Sequence, residues 1–235
     1  NEPFYESCDL IMNISRQTVN IVDNVCQKKP RTDWDNTYVP HGINHTYFMP
    51  VDTLHKDYEK SRKFRQHILG GKQYDFVVFW NNRNIRRKLP GDVVMAFKTF
   101  CDMLPKDKSK KCALIMHTQP VDENGTDLPA VVKEMCPDYD VIFSNEKLDN
   151  DQMCWMYNIA DVTINIASNE GFGLGTCESL MCGTPIVVNV TGGLQDQCGF
   201  KKEDGSYLTV DDYTDEFQSN HRGRYKEHGD WAYPV

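Results

Sequence analysis

The stretch that decides the fold is Ser168-Asn-Glu-Gly-Phe-Gly-Leu-Gly-Thr-Cys-Glu-Ser-Leu-Met-Cys-Gly-Thr-Pro-Ile-Val-Val188. An apolar run, residues 162–166, leads into it, and a second apolar run begins at Ile186. Between the runs lie three closely spaced glycines, Gly171, Gly173 and Gly175. This order predicts a strand, a glycine turn, a short helix that ends at Gly183, and a second strand. Because the first N–H groups of a helix are unpaired and glycine lets a ligand approach the backbone, we expect an anion to bind here.

Upstream of this stretch, apolar runs of strand length alternate with segments of helical period. The predicted strands from residue 70 onward are 76–80, 112–117, 141–143, 162–166 and one that begins at residue 186. The predicted helices are 56–69, 90–103, 129–135, 150–160 and one that follows Gly173. Such alternation predicts an α/β fold with a doubly wound, Rossmann-like parallel sheet that is covered by helices on both faces. The ligands of these sheets bind beyond the carboxyl ends of the strands.

The two ends of the chain depart from this alternation. Residues 8–14 predict a buried strand, residues 18–26 an amphipathic helix, and residues 38–39 a short strand. The proline and glycine spacing between residues 40 and 50 predicts a turn or an interdomain hinge. Residues 201–235 are polar and have no clear period, so we expect a loop with room for one short helix.

Composition excludes several classes of protein. The net charge of −8 argues against general nucleic-acid binding, and no apolar run approaches the roughly 20 residues of a transmembrane helix. The nine cysteines form no close Cys-x-x-Cys pair, which predicts reduced thiols in a cytoplasmic protein instead of a disulfide framework or a zinc site. The seven histidines show no metal-ligand spacing, so we expect no metal.

A basic loop, Asn81-Asn-Arg-Asn-Ile-Arg-Arg-Lys88, follows the strand predicted at 76–80. A basic run by itself is usually a solvated surface loop. In a parallel sheet, however, this loop lies at the same carboxyl edge as the glycine stretch. Arg83 offers a planar fork of donors and Lys88 a point charge, and both suit a diphosphate.

Two glutamates, Glu170 and Glu178, flank the glycines. A single glutamate near a helix start is commonly a cap or a partner of the helix dipole. Two carboxylates on either side of a phosphate site suit a ligand with hydroxyl groups at both ends, which describes a nucleotide sugar. The glycines match neither the P-loop nor the Gly-x-Gly-x-x-Gly pattern of dinucleotide-binding proteins.

Residues 170–173 and 178–188 together resemble the signature of retaining glycosyltransferases of the family 4 type, which have the GT-B fold. Arg83 and Lys88 match the Arg and Lys that follow the first strand of that family's donor domain, with Asn82 where the family has Gly. Residues 39–50 are similar to the family's interdomain linker. The resemblance covers about residues 5 to 200.

The resemblance implies a domain organisation. Residues 1–40 would be the tail of the N-terminal acceptor domain, 41–55 the interdomain linker, and 56–235 the Rossmann-like domain that binds the nucleotide sugar. Most of the acceptor domain lies outside this chain, so we expect the chain to bind donor and leave open whether it is active by itself.

The resemblance also implies roles for individual residues. The catalytic residues would be Glu170, Arg83 and Lys88, of which the two cations hold the diphosphate and stabilise its charge as it leaves. Glu178 would hold the ribose. The other donor-binding residues would be Asn82, Gly171, Phe172, Gly173, Leu174, Phe143 and Leu148, the last two marking the site of the base. No metal is expected, because cationic side chains and a helix dipole replace it.

These observations leave three functions open. The first is a hexosyltransferase that uses GDP- or UDP-hexose with retention of configuration, with a slight preference for GDP-mannose because mannosyl transfer is common in the family. The second is a nucleotide-sugar epimerase or hydrolase on the same fold. The third is a non-catalytic donor-binding module. The base, the sugar, the linkage and the acceptor, whether glycan, protein or small molecule, stay open.

Overall fold

A computed structural model describes residues 2–26, 35–209, 212 and 225–235 of the chain. The chain divides into two compact units. The first consists of Asn1–Gly42, Ser168–Leu174 and Asn189–Val235, and the second of Ile43–Ala167 and Gly175–Val188. The domain boundaries expected from the family resemblance stay a prediction.

Helices and strands alternate along the described residues. The helices are α1 (Glu2–Glu6), α2 (Arg16–Cys26), α3 (Tyr58–Ile68), α4 (Pro90–Asp102), α5 (Lys106–Ser109), α6 (Leu128–Met135), α7 (Asn150–Ile159), α8 (Leu174–Met181) and α9 (Gly192–Gln197). The strands are β1 (Leu10–Asn13), β2 (Asp35–Tyr38), β3 (Phe76–Asn81), β4 (Cys112–His117), β5 (Asp140–Ser144), β6 (Val162–Asn165), β7 (Ile186–Val188) and β8 (Ala232–Pro234). None of the described helices is long and apolar enough to cross a membrane.

The second unit is built on five parallel strands in the spatial order β5-β4-β3-β6-β7. The chain proceeds outward from β3 to β5 on one side and then returns to place β6 on the other side of β3. This reversal makes the gap between β3 and β6 a topological switch point, where ligands of open α/β sheets bind. The α/β fold class with a parallel, Rossmann-like sheet is thereby confirmed.

Strand β3 supplies side chains to a core on each face of the sheet. Val77 and Phe79 join a cluster with α3 and α7, whereas Val78 and Trp80 join a cluster with α4 and α6. Successive side chains of a strand point to opposite faces, so a strand that is covered on both faces is apolar throughout. This is why the run at 76–80 was predictable as a central strand.

Strand β1 of the first unit differs from the expectation of a buried strand. Leu10 and Met12 are 50% and 63% exposed. Strand β1 pairs with β2 in a two-stranded parallel sheet, and the buried side chain of β1 is Asn13. Apolar composition indicated a strand correctly, but it does not tell which face has a covering element.

The expectation of loop structure after residue 200 is partly wrong. Strand β8 forms at Ala232–Pro234, and its first residue, Ala232, is fully buried. Residues 210–211 and 213–224 lie outside the described residues, so the short helix allowed there stays a prediction. Helix α9 was not predicted, because its first two residues are glycines, which disfavour helices.

Candidate functional site

A cavity of about 450 Å³ opens at the carboxyl ends of three neighbouring strands in the second unit. Asn81, His117 and Ser144 are the last residues of β3, β4 and β5, and they are paired in register across the sheet. All three line the cavity. The parallel sheet therefore aligns three polar side chains in a row at its ligand-binding edge.

Burial affects the protonation of one residue of this row, His117. His117 lies beside Ser144, with 3.0 Å between its Nδ1 and the serine Oγ. Burial lowers the pKa of His117 from its ordinary value, although a hydrogen bond with the backbone of Ser144 opposes the shift. The imidazole is consequently neutral at about pH 7 and offers one donor and one acceptor.

Two cationic residues line the cavity, Lys147 and Arg83, of which Arg83 follows β3. Its side chain is 63% exposed and its Nε lies 3.1 Å from Oδ2 of Asp122. Asn82 and Asp122 line the cavity with it. The N–H of Asn124 and the guanidinium of Arg83 together lower the pKa of the Asp122 carboxyl. Arg83 is thus a long cationic side chain that one surface ion pair with Asp122 holds at the cavity. A phosphate, which binds a guanidinium more strongly, can replace Asp122 in this pair.

The basic loop is fixed to the rest of the unit through Asn84, which is fully buried. Its Nδ2 donates to the carbonyl of Thr126 at 2.7 Å, and its Oδ1 accepts from the N–H of Thr126 at 3.1 Å. A Cβ on Gly125 would lie 2.1 Å from the carbonyl oxygen of Asn84. Only glycine therefore allows the two loops that line the cavity to approach this closely.

Lys88 is placed differently from Arg83. It ends the 3₁₀ turn Arg86–Lys88, is 8% exposed, and does not belong to the cavity lining. The following residue, Leu89, has a φ of +52°, which is the left-handed region that side chains other than glycine avoid. Pro90 then begins α4. The strained residue lets the chain turn sharply between the basic loop and this helix.

Glu178 is held by a short chain of hydrogen bonds in the second unit. Asn81 Nδ2 donates to Tyr157 Oη at 2.8 Å, and Tyr157 Oη donates to Glu178 Oε2 at 2.7 Å. Burial raises the pKa of Glu178, whereas the hydrogen bond from Tyr157 lowers it. A Cβ on Gly175 would lie 3.1 Å from the same Oη, so the start of α8 packs closely on the tyrosine.

Phe143 and Leu148, which mark the predicted base site, pack against the two apolar cores. Neither lines the cavity. The residues between them do: Ser144, Asn145, Glu146 and Lys147. Of the segment 143–148 that the sequence indicated, the four polar residues line the cavity and the two apolar ends do not.

The remaining predicted residues, 170–174, belong to the first unit. The N–H of Gly193 donates to the carbonyl of Gly171 at 3.0 Å, and Gln197 Nε2 donates to that of Phe172 at 2.5 Å. Gly192 has a φ of +49°, and a Cβ there would meet the carbonyl oxygen of Glu170. Helix α9 therefore fixes the backbone of the Glu-Gly-Phe-Gly segment.

Within that segment the side chains differ in exposure. Phe172 is buried, and its ring meets the edge of His41 with 5.2 Å between centroids. Glu170 is half-buried and Leu174 is 49% exposed. Gly173 has a φ of +85°, which favours glycine immediately before α8.

Asn81, Asn84, Asp122 and Tyr157 were not singled out by the sequence analysis. The ring of Tyr157 packs in a core cluster, and its hydroxyl reaches Glu178. The described residues contain no group of three His, Cys, Asp or Glu side chains arranged to hold a metal ion. The cavity instead offers Arg83 to an anion and amide, hydroxyl and imidazole groups to a polar ligand.

Comparison with known proteins shows the fold of the chain. No family model matches it. A stretch of 39 residues is 51% identical to the D-inositol 3-phosphate glycosyltransferase of Thermomonospora curvata, over 17% of this chain and 9% of that protein.

Two solved structures are similar over most of the chain. Sucrose-phosphate synthase from Thermosynechococcus elongatus has a TM-score of 0.61 at 20% identity, covering 84% of this chain and 44% of that one. HepE from Anabaena, in complex with UDP-glucose, has a TM-score of 0.60 at 13% identity, covering 83% and 51%. The chain therefore has the GT-B glycosyltransferase fold over about half the length of these proteins. At such identities the likeness shows fold and does not carry their substrates to this chain.

Proposed function

We propose that this chain is the donor-binding part of a retaining glycosyltransferase that moves a hexose from a nucleoside diphosphate sugar to an acceptor. One observation carries the proposal: Asn81, a cavity-lining residue, is joined through Tyr157 to the carboxylate of Glu178. The carboxylate is thereby oriented in the same unit as the cation Arg83 and the polar cavity. A carboxylate can accept from the ribose diol, and a guanidinium can bind the diphosphate, so the two groups together suit a nucleoside diphosphate.

In this proposal Glu178 accepts hydrogen bonds from the ribose hydroxyls. The carboxylate has two oxygens, and Tyr157 contacts Oε2, so Oε1 remains a ready acceptor for a diol. Tyr157 is itself positioned by Asn81, which prevents the carboxylate from rotating freely. Preorganisation of this kind increases affinity because less side-chain entropy is lost on binding.

Arg83, at the cavity, stabilises the diphosphate as the bond from the sugar's anomeric carbon to oxygen breaks, and Lys88 shares this role on the family signature alone, since it does not line the cavity. The leaving group gains negative charge in this step, and fixed positive charge lowers the barrier. We propose that these cations act without a metal. Removal of one such charge stabiliser reduces the rate by about 10²- to 10³-fold.

The segment Ser144–Lys147 is proposed to contact the base. The segment offers hydroxyl, amide, carboxylate and ammonium groups, which can read the polar edge of guanine or uracil. GDP-mannose is our first choice of donor and UDP-glucose the second. The roles that the family signature assigns to Glu170, Gly171, Phe172, Gly173 and Leu174 at the sugar and phosphate stay predictions.

Calorimetric titration with GDP and with UDP tests the proposal. Arg83→Ala and Glu178→Ala are each expected to weaken binding by about 10- to 100-fold, as expected for loss of a hydrogen bond to a charged group. Arg86→Ala removes the same charge from the same loop, but Arg86 does not line the cavity, so it is the matched control. Unchanged affinity in both site variants would remove the assigned roles.

Product analysis separates transfer from the two alternatives. The chain, joined with its acceptor half, is incubated with GDP-mannose or UDP-glucose, first without and then with candidate acceptors. An epimerised or freely hydrolysed sugar favours an epimerase or hydrolase. Tight nucleotide binding with no product under any condition favours a donor-binding module.

A further inference from the structure

A second cavity of the second unit, of about 220 Å³, leads to a thiol. It is lined by residues of the segment between 46 and 57 and by α7, among them Met49, His55, Asp151, Cys154 and Trp155. Cys154 is 3% exposed overall. Cys154 nevertheless lines this cavity, which is the route by which a reagent of only a few atoms would approach the sulfur.

The sulfur of Cys154 has a second thiol beside it. Cys182 Sγ lies 3.9 Å from Cys154 Sγ and donates a hydrogen bond to it. Asn158 Nδ2 lies 3.5 Å from the same sulfur. Asn158 Nδ2 donates more closely to the carbonyl oxygens of Met49 and Cys154, at 3.0 and 2.9 Å, so Cys182 is the main donor to this sulfur. The hydrogen bond from Cys182 lowers the pKa of Cys154 against the opposing effect of burial, whereas the same contact raises the pKa of Cys182. One thiol of the pair is therefore the better nucleophile and the other remains protonated.

Two other cysteines, Cys101 and Cys112, serve for comparison. Cys101 of α4 and Cys112 of β4 are buried in the core on the opposite face of the sheet, and neither lines either of the two cavities. Burial raises the pKa of Cys101 to about 12 and also raises that of Cys112. These two thiols share one buried core, but neither lines a cavity and burial disfavours the ionisation of both.

We propose that Cys154 and Cys182 are a peroxide-reactive pair that closes to an intramolecular disulfide. The Cys154 thiolate attacks one oxygen of hydrogen peroxide, the O–O bond breaks, and hydroxide leaves and takes up a proton to become water. Cys154 is then a sulfenic acid. The Cys182 sulfur, losing its proton, attacks Cys154 Sγ, so that an S–S bond forms and the S–O bond breaks with release of a second water. Two thiols lose two electrons and one peroxide is reduced to two waters.

Closure requires a small local movement. A disulfide is about 2.05 Å long, so the two sulfurs approach each other by about 2 Å. Cys182 lies one residue beyond the end of α8, and Gly183 follows it with a φ of +78°. The moving thiol is therefore carried by a helix end and a glycine turn instead of by a helix interior.

The wild-type chain tests the proposal without any substitution. Reduced protein is treated with increasing hydrogen peroxide, denatured, and alkylated with a light reagent before reduction and a heavy reagent after it. Mass spectrometry then gives the oxidation state of each cysteine. We expect Cys154 and Cys182 to be lost first and together, as a linked peptide, while Cys101 and Cys112 stay reduced. Equal oxidation of the two pairs, or a Cys154 that stays reduced, overturns the proposal.

Two variants separate the roles of the thiols. In Cys182→Ser the reaction should stop at the sulfenic acid of Cys154, which a dimedone probe labels; in Cys154→Ser the thiol of Cys182 should stay reduced under the same treatment. Circular dichroism before treatment establishes that each variant is folded. Absence of dimedone labelling at Cys154 in folded Cys182→Ser contradicts the assigned nucleophile.

Discussion

Tyr157 donates a hydrogen bond of 2.7 Å to Glu178, and through it a helix residue fixes a carboxylate on a different helix. The phenol is almost completely buried, and it accepts from Asn81 at the end of the central strand. Burial and the neighbouring carboxylate raise the pKa of Tyr157 well above its ordinary value, so the hydroxyl stays a donor at all accessible pH. Through Tyr157, the carboxylate of Glu178 is linked to Asn81 at the carboxyl edge of the sheet.

Tyr157→Phe is expected to destabilise the fold by about 1–3 kcal/mol, because Asn81 and Glu178 each lose a buried partner. The variant should also weaken nucleoside diphosphate binding, since Glu178 is no longer oriented. In the wild type the hydrogen bond from Tyr157 lowers the pKa of Glu178. Without this bond the pKa of Glu178 rises further in the variant. The stability difference should therefore be larger at about pH 8, where the carboxylate is ionised, than at about pH 4. Urea denaturation and calorimetry measure the two effects.

The matched control is Tyr74→Phe. Tyr74 is also buried and also donates to a carboxylate, Asp140, at 2.7 Å, but it precedes β3 at the opposite edge of the sheet. We expect a comparable loss of stability with unchanged nucleotide affinity. If both variants weaken nucleotide binding equally, Tyr157 acts through general stability and has no positioning role.

Gly125→Ala should destabilise the loops around the cavity. A methyl group would lie 2.1 Å from the Asn84 carbonyl oxygen and 2.4 Å from its Oδ1, so these atoms must move. The cost of such overpacking is about 1–3 kcal/mol. Gly91→Ala is the control, since nothing lies within 4 Å of its added methyl and alanine is favoured in α4 by up to about 1 kcal/mol. Thermal unfolding of both variants tests this prediction. Equal melting temperatures of Gly125→Ala and Gly91→Ala would contradict it.

The sheet was predictable because its strands are buried on both faces. Cys112–His117 has the bounds that the sequence indicated, and the other central strands differ by one or two residues. Such strands are continuous apolar runs between turn residues, which is a local property. Strand β8 and helix α9 depend on contacts with distant residues: Gly193, for instance, donates to Gly171. No local pattern reports such a contact.

The site was predictable to the extent that its residues follow strands. Arg83 was found because a cation after the first strand of a parallel sheet lies at the ligand-binding edge. Asp122 was missed because its pairing with Arg83 joins loops 39 residues apart in the chain. Tyr157 was missed for a different reason: helical spacing reports where a ring packs, but not what the hydroxyl at its end contacts.

Asp196 predicts an unusual pH dependence of stability. Burial raises its pKa from 3.8 to about 6, even though the N–H and charge of Arg16 oppose the shift. Among the described residues its Oδ1 has no hydrogen-bond partner. The folded state holds the proton of Asp196 more tightly than the unfolded state, so the contribution of this carboxyl to stability is highest below about pH 4 and falls as pH rises through 6. The loss attributable to this carboxyl is on the order of 2–3 kcal/mol at most.

Asp196→Asn should remove this dependence. The variant is expected to match the wild type at about pH 4 and to be more stable at about pH 8, as measured by urea denaturation at each pH. Asp102→Asn serves as the control of opposite sign, because the hydrogen bond from Lys98 lowers the pKa of Asp102. If the wild type were more stable than Asp196→Asn at about pH 8, the surroundings of Asp196 would stabilise its carboxylate, contrary to this prediction.

Asp122→Asn should increase the affinity for nucleoside diphosphates by a few-fold. In the structure Arg83 is paired with Asp122, and this pair must open before the guanidinium can contact a phosphate. A surface ion pair of this kind contributes about 0–1 kcal/mol, so its removal gains at most about fivefold in affinity. Asparagine keeps an Oδ1 that can accept from the N–H of Asn124, as the aspartate does at 2.9 Å, so the loop should retain its turn. Calorimetry with GDP and UDP in Asp122→Asn, and in the Asp122→Asn, Arg83→Ala double variant, measures the gain. The gain should vanish in the double variant; if it persists, Asp122 repels the phosphates directly and does not compete with them for Arg83.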